Sequence, residues 1–141
     1  MEIELQYLYT GSEPLMVPAE LANFTLAASE MFDIRDTFFD TSDLDLRRAG
    51  CSLRIRRQSN LPAPFFTWKG PSVRRPDRAR EREEIEFVVD HIPAIGSEML
   101  AMVEAAGLLD RIADVVGPDP QLALIGELEN RRSTHDYVQG L

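Results

Sequence analysis

The run Cys51-Ser52-Leu53-Arg54-Ile55-Arg56-Arg57 constrains this chain more than any other stretch, because it alternates. Successive side chains of a strand point to opposite faces, so Leu53 and Ile55 share one face and Arg54 and Arg56 the other. Two guanidiniums fixed on one face of a strand, backed by an aliphatic face, form a pair of donor forks suited to phosphate oxygens. A half-buried strand with a solvated polar face would show the same alternation, so the run has to be read with its neighbours.

The pattern recurs. Glu2 and Glu4 oppose Ile3 and Leu5; Arg82, Glu84 and Glu86 oppose Ile85 and Phe87; Phe65-Phe66-Thr67-Trp68-Lys69 is strand-like and ends on a cation. Strands are expected over residues 2–8, 33–40, 51–58, 65–69 and 82–89. Helical spacing of Leu21, Phe24, Leu26, Ala27 and Met31, with Pro18 suited to a first turn, predicts a helix over 18–31. A second amphipathic helix is expected over 97–109, with Met99, Leu100, Val103 and Leu108 inward, and 111–116 as its extension. Thr41-Ser42-Asp43 reads as the cap of a short turn, and residues 70–80, rich in Pro and Arg, as an exposed connection. Residues 122–137 carry no decisive period. Antiparallel strands with one apolar and one charged face fit either an open sheet covered by helices or a barrel with its charges inside.

At 141 residues one domain is expected, and a net charge of −9 argues against a general nucleic-acid binder, though not against a small polyanion held in a locally basic cleft. Cys51 is the only cysteine, which excludes an internal disulfide and suits a reducing compartment. The sequence has no apolar run of membrane-spanning length and no signal-peptide pattern at its start, so no membrane partner and a cytoplasmic location are expected. Every basic residue except Lys69 is arginine, and that one lysine offers what arginine does not, a compact ammonium on a mobile stem.

Five pieces, in order along nearly the whole chain, resemble the CYTH domains, or triphosphate tunnel metalloenzymes: Glu2-Ile3-Glu4-Leu5-Gln6, Phe38-Phe39-Asp40-Thr41, Leu53-Arg54-Ile55-Arg56, Lys69, and Arg82-Glu83-Glu84-Ile85-Glu86. The resemblance implies an α+β fold, an antiparallel barrel forming a tunnel, incomplete or open here, with helices outside. It implies metal ligation by Glu2, Glu4, Glu84 and Glu86, with Mg²⁺ or Mn²⁺ as the oxygen-seeking ion. It implies triphosphate or polyphosphate binding by Arg54, Arg56, Lys69, Arg82 and Arg132, and a catalytic role for Glu2, Glu4 and Lys69 in metal-assisted hydrolysis.

The chain departs from the family pattern at Gln6, where a lysine is expected. It also reaches Leu141 before the family's closing strands and second acidic pair, so the expectation is one CYTH-like domain over 1–141, truncated at its C-terminal end. Binding without turnover and ATP cyclisation are the rival activities, and pairing of two chains through unpaired barrel edges is the expected mode of self-association. Cys51 reads as a core residue, and His91 and His135 lack metal-ligand spacing.

Overall fold

A computed structural model describes residues 2–4 as backbone and residues 7–94 and 96–140 in full. The elements are β1 (Glu2–Glu4), β2 (Glu20–Leu21), β3 (Phe24–Asp40), α1 (Asp45–Arg48), β4 (Ser52–Gln58), β5 (Phe65–Lys69), β6 (Val73–Arg74), β7 (Arg80–Arg82), β8 (Glu84–Val88), α2 (Ser97–Ala105), α3 (Leu109–Val116) and β9 (Ala123–Gln139). The main sheet is wholly antiparallel and runs β9-β3-β4-β5-β8, with the short β2 beside the start of β3. A smaller sheet, β1-β7-β6, joins it through Glu83, whose carbonyl accepts from the Gly70 amide and continues the β5–β8 ladder. The fold is therefore α+β and antiparallel as expected. Among the described residues, however, the sheet does not close into a barrel, since β9 pairs only with β3 and β8 only with β5.

One face of the sheet makes the core. Phe39, Leu53, Ile55, Phe66 and Trp68 pack with Met99, Val103, Leu108 and Ile112 of the helical segment. Burying each aliphatic side chain contributes about 1.5–3 kcal/mol. Gly107, at φ 70°, breaks the expected single helix into α2 and α3. The Phe38-Phe39-Asp40-Thr41 piece is a corner of the architecture. The buried Asp40 carboxylate accepts from the amides of Thr41, Leu46 and Arg47 at 2.7, 2.9 and 3.0 Å, and the Thr41 hydroxyl accepts from the Asp45 amide at 3.1 Å. The first-turn amides of α1 are thus satisfied by side chains.

The helix expected over 18–31 is a strand. β3 runs 17 residues and pairs with β9 along its whole length. The pairing shifts between Leu26 and Ala28, so an extra residue interrupts the two-residue alternation and produces helix-like apolar spacing. The first strand is also shorter than expected: Tyr7 and Leu8 lie outside β1 and are exposed. Residues 70–80 contain the β6–β7 turn, with Ala79 buried. Among the described residues, no helix is long and apolar enough to cross a membrane.

Candidate anion-binding face

Register places the basic residues together. Arg54 stands opposite Phe38 on one side and Thr67 on the other, Arg56 lies between Asp36 and Phe65, and Lys69 lies between Ser52 and Glu84. Directly opposed residues of an antiparallel pair share a face. Arg54, Arg56, Lys69, Glu84 and Glu86 therefore occupy the face opposite the core, because Leu53, Ile55, Phe66 and Trp68 take the alternate positions.

Asp36 organises this face, and nothing in the sequence reading singled it out. Its carboxylate accepts from Arg56 Nε and from an Arg56 terminal nitrogen, both at 2.7 Å, and lies 3.6 Å from Arg54. Both Asp36 and Arg56 are buried. A bidentate, desolvated pair of this kind fixes the guanidinium plane. The signal was available: Asp36 falls in phase with Phe38 and Asp40, one cross-strand step from the Arg-x-Arg run.

Arg54 is held under electrostatic stress. Burial first, then the neighbouring Arg56 guanidinium, lower its pKa; Asp36 and Glu84 oppose the shift, and Arg132 adds to it. That ordering brings Arg132 of β9, exposed and in register with Phe32, into the same field. Lys69 Nζ lies 3.0 Å from a Glu84 carboxylate oxygen, with both side chains largely buried. Arg54 Nε and the hydroxyl of Thr67, a fully buried residue, are without hydrogen-bond partners among the described residues. They sit on directly opposed positions of neighbouring strands.

The acidic residues are placed less completely. Glu86, exposed, stands opposite Thr67. Glu2 pairs in register with Arg82 and Glu4 with Arg80, which brings the chain start beside the strand that leads into Glu84 and Glu86. The side chains of Glu2 and Glu4, and Gln6, lie outside the described residues. Among those described, no group of three or more His, Cys, Asp or Glu is gathered in metal-binding proximity.

The remaining candidates are structural. Cys51 is buried, and burial, followed by the nearby Asp40 charge, raises its thiol pKa, the opposite of what an activated nucleophile needs. His91 bridges Asp90 and Glu98 at 2.5 Å each, and His135 Nδ1 shares a hydrogen bond with the Ser29 hydroxyl at 2.9 Å.

The CYTH domain model matches residues 1–141, and the chain belongs to that family. Its fold is similar to that of HpAC1 from Hippeastrum, a proposed adenylyl cyclase that reveals a dominant triphosphatase activity, with TM-score 0.60 and 22% identity over 74% of this chain and 53% of that one. PH1819 from Pyrococcus horikoshii OT3 matches with TM-score 0.47 and 19% identity, over 81% of this chain and 54% of that one. A proposed adenylate cyclase from Bacillus halodurans matches with TM-score 0.46 and 20% identity, over 76% and 63%. The chain thus spans little more than half the length of the first two structures. Comparison with curated protein sequences finds no match.

Proposed function

We propose that the charged face binds the triphosphate of an inorganic or organic substrate together with a divalent cation, and that the protein is a metal-dependent triphosphatase. The observation that carries this reading is the gathering of Arg54, Arg56 and Lys69 on one face of two adjacent strands, with Arg132 in the same field. Arg54, Arg56, Lys69, Arg82 and Arg132 would contact phosphate oxygens. Guanidiniums suit paired oxygens, and the ammonium suits a single one. The unpartnered Arg54 Nε and Thr67 hydroxyl are donors that a phosphate oxygen can satisfy once the side chains over them move.

Glu84 and Glu86, with Glu2 and Glu4 at the chain start, offer an all-carboxylate donor set that fits Mg²⁺ or Mn²⁺. The metal would polarise the terminal phosphate and neutralise charge as it spreads in the transition state. Asp36 would act as a positioning residue, since it holds Arg56 in plane and stays clear of the role of ligand.

One observation favours a second reading, binding without turnover. Glu84 is engaged with Lys69 at 3.0 Å, so acidic and basic groups of the face neutralise one another in this state. Phosphate release from inorganic triphosphate with Mg²⁺ separates the two, and pyrophosphate with cyclic AMP formed from ATP would mark a cyclase instead. Titration calorimetry with Arg56→Lys, which keeps the charge and loses the planar fork, is expected to show at least about a tenfold loss of triphosphate affinity, the cost of one charge-assisted hydrogen bond. Unchanged affinity would remove Arg56 from the site.

Self-association belongs to the same proposal. The outer edge of the 17-residue β9 has no strand partner among the described residues, and Leu124, Leu128 and Val138 on it are exposed. Such an edge recruits another strand. Sedimentation is expected to show concentration-dependent dimers, and a monomer at all concentrations would refute this.

A further inference from the structure

On the face that the helices cover elsewhere, the far end of the sheet carries a groove of about 800 Å³. It is lined by Ile34, Gln58 and Asn130 of the sheet and by the β4–β5 loop through Ser59, Leu61, Pro62 and Pro64. Arg35, Arg57 and Glu129 stand in one cross-strand row, with Asp33 and Arg131 in the next. Alternation along β3 and β4 puts this row on the side opposite Asp36 and Arg56, so Arg35 and Arg57 lie back to back with the charged face, and none of Asp36, Arg54, Arg56 and Lys69 lines the groove.

The charges here do not balance. Glu129 accepts from Arg35, and Arg131 donates to Asp33 at 2.9 Å, which leaves Arg57 with no ion pair among the described residues. Arg57 is moreover in direct register with Arg35. Like charges facing each other across two strands are unfavourable, and an anion between them turns the repulsion into a clamp. Three guanidiniums against two carboxylates leave the groove cationic on a protein whose net charge is −9. Beside this surplus charge, Leu61, Pro62 and Pro64 supply an apolar wall with little conformational freedom to lose.

We propose that this groove is a second binding site, for a small organic anion that presents a phosphate or carboxylate to Arg35 and Arg57 and an apolar body to the 61–64 loop. Ser59, whose hydroxyl accepts from the Asp33 amide at 2.9 Å, keeps its own proton free to donate to the same anion. The site stands apart from the triphosphate reading, because Arg35, Arg57, Ser59 and the 61–64 loop are not among the groups proposed to hold the triphosphate.

The test is a ¹H–¹⁵N titration of the whole 141-residue chain with phenyl phosphate, with benzoate, and with neutral benzyl alcohol. Saturable shifts at the Arg57, Ser59, Leu61 and Ala63 amides are expected with the two anions and not with the alcohol. The stronger of the two anions identifies the headgroup. Arg57→Ala, at an exposed position that leaves the fold intact, is expected to weaken binding by about tenfold or more, and Arg57→Lys by less. Leu61→Ser is expected to weaken both anions while leaving inorganic phosphate unchanged. The proposal is overturned if these amides do not saturate, if Arg57→Ala binds as the parent does, or if the shifts fall only on Arg54, Thr67 and Lys69.

Discussion

Successive residues of β3 build two ion-pair systems, one with β4 and one with β9, that differ above all in their access to water. Asp36 and Arg56 form a bidentate pair with side chains only 4% and 9% exposed, whereas Arg35–Glu129 and Arg131–Asp33, on the other face of the same ribbon, are all more than half exposed. Each is a guanidinium–carboxylate pair between directly opposed residues of neighbouring strands. Desolvation makes the first pair costly to break. Solvent screening makes the others nearly neutral in energy. The buried pair therefore sets geometry, and the exposed pairs leave their side chains open to exchange partners.

The largest expected effect breaks the buried side of this contrast. Asp36→Ala leaves Arg56 buried without its counter-charge, next to Arg54, and is expected to destabilise the fold by about 3–5 kcal/mol. Replacing both partners, Asp36→Leu with Arg56→Met, is expected to recover most of that loss in urea denaturation, because no uncompensated charge remains. If the single and double variants are equally destabilised, packing rather than charge holds the face together.

Thr67→Val sharpens the same comparison from the polar side. It removes a hydroxyl of a fully buried residue with no partner among the described residues, and the relief is expected to stabilise the ligand-free protein by about 1 kcal/mol. Thr67→Ser, which keeps the hydroxyl, is expected to give no such gain. A Thr67→Val protein less stable than its parent would show that the hydroxyl is satisfied, by water for instance.

How much of this was legible depended on whether the signal was local. The Leu53-Arg54-Ile55-Arg56 alternation survives intact because β4 is a short, regular central strand with a core face and a charged face. The helix over 97–109 was legible for Met99, Val103 and Leu108, which are in the core, but Leu100 is only partly buried and Met102 packs against the core instead, and the break at Gly107 was missed. The strand over 24–31 was not legible. What stabilises it is β9, about a hundred residues away in sequence, and a register shift hides its alternation. Asp36 was missed for a related reason. A carboxylate two residues before Phe38 looks like any strand polar residue until β3–β4 register sets it opposite Arg56. The metal-binding residues expected at Glu2 and Glu4 depend on side chains outside the described residues, and the register with Arg82 and Arg80 places only their backbone.

The exposed side of the comparison predicts small numbers. Glu129→Ala is expected to change stability by no more than about 0.5 kcal/mol, and the difference should vanish in molar salt. Its second consequence bears on the groove. Without Glu129, Arg35 joins Arg57 as a free cation, so phenyl phosphate binding there should tighten. A large loss of stability would mean that the exposed pairs are no more exchangeable than the buried one.

The smallest effect belongs to another exposed clamp, where His91 ties Asp90 to Glu98 at the start of α2. Glu98 first, then Asp90, raise the His91 pKa above its ordinary 6.5, and the His91 hydrogen bond is the main cause lowering both carboxyls from their ordinary values of 3.8 for Asp90 and 4.5 for Glu98. A raised histidine contributes stability that is complete below pH 6.5 and fades as pH rises through the folded value. The depressed carboxyls contribute stability that is complete above pH 4.5 and fades as pH falls through their folded values. The clamp should therefore be strongest between those limits. His91→Gln is expected to lose most against the parent near pH 5.5 and to converge with it toward pH 8, in paired denaturation curves across that range. All three groups are solvent-exposed, so the gap should be small and should shrink with salt. A gap that grows toward pH 8 would mean that the neutral imidazole, rather than the imidazolium, holds the start of α2.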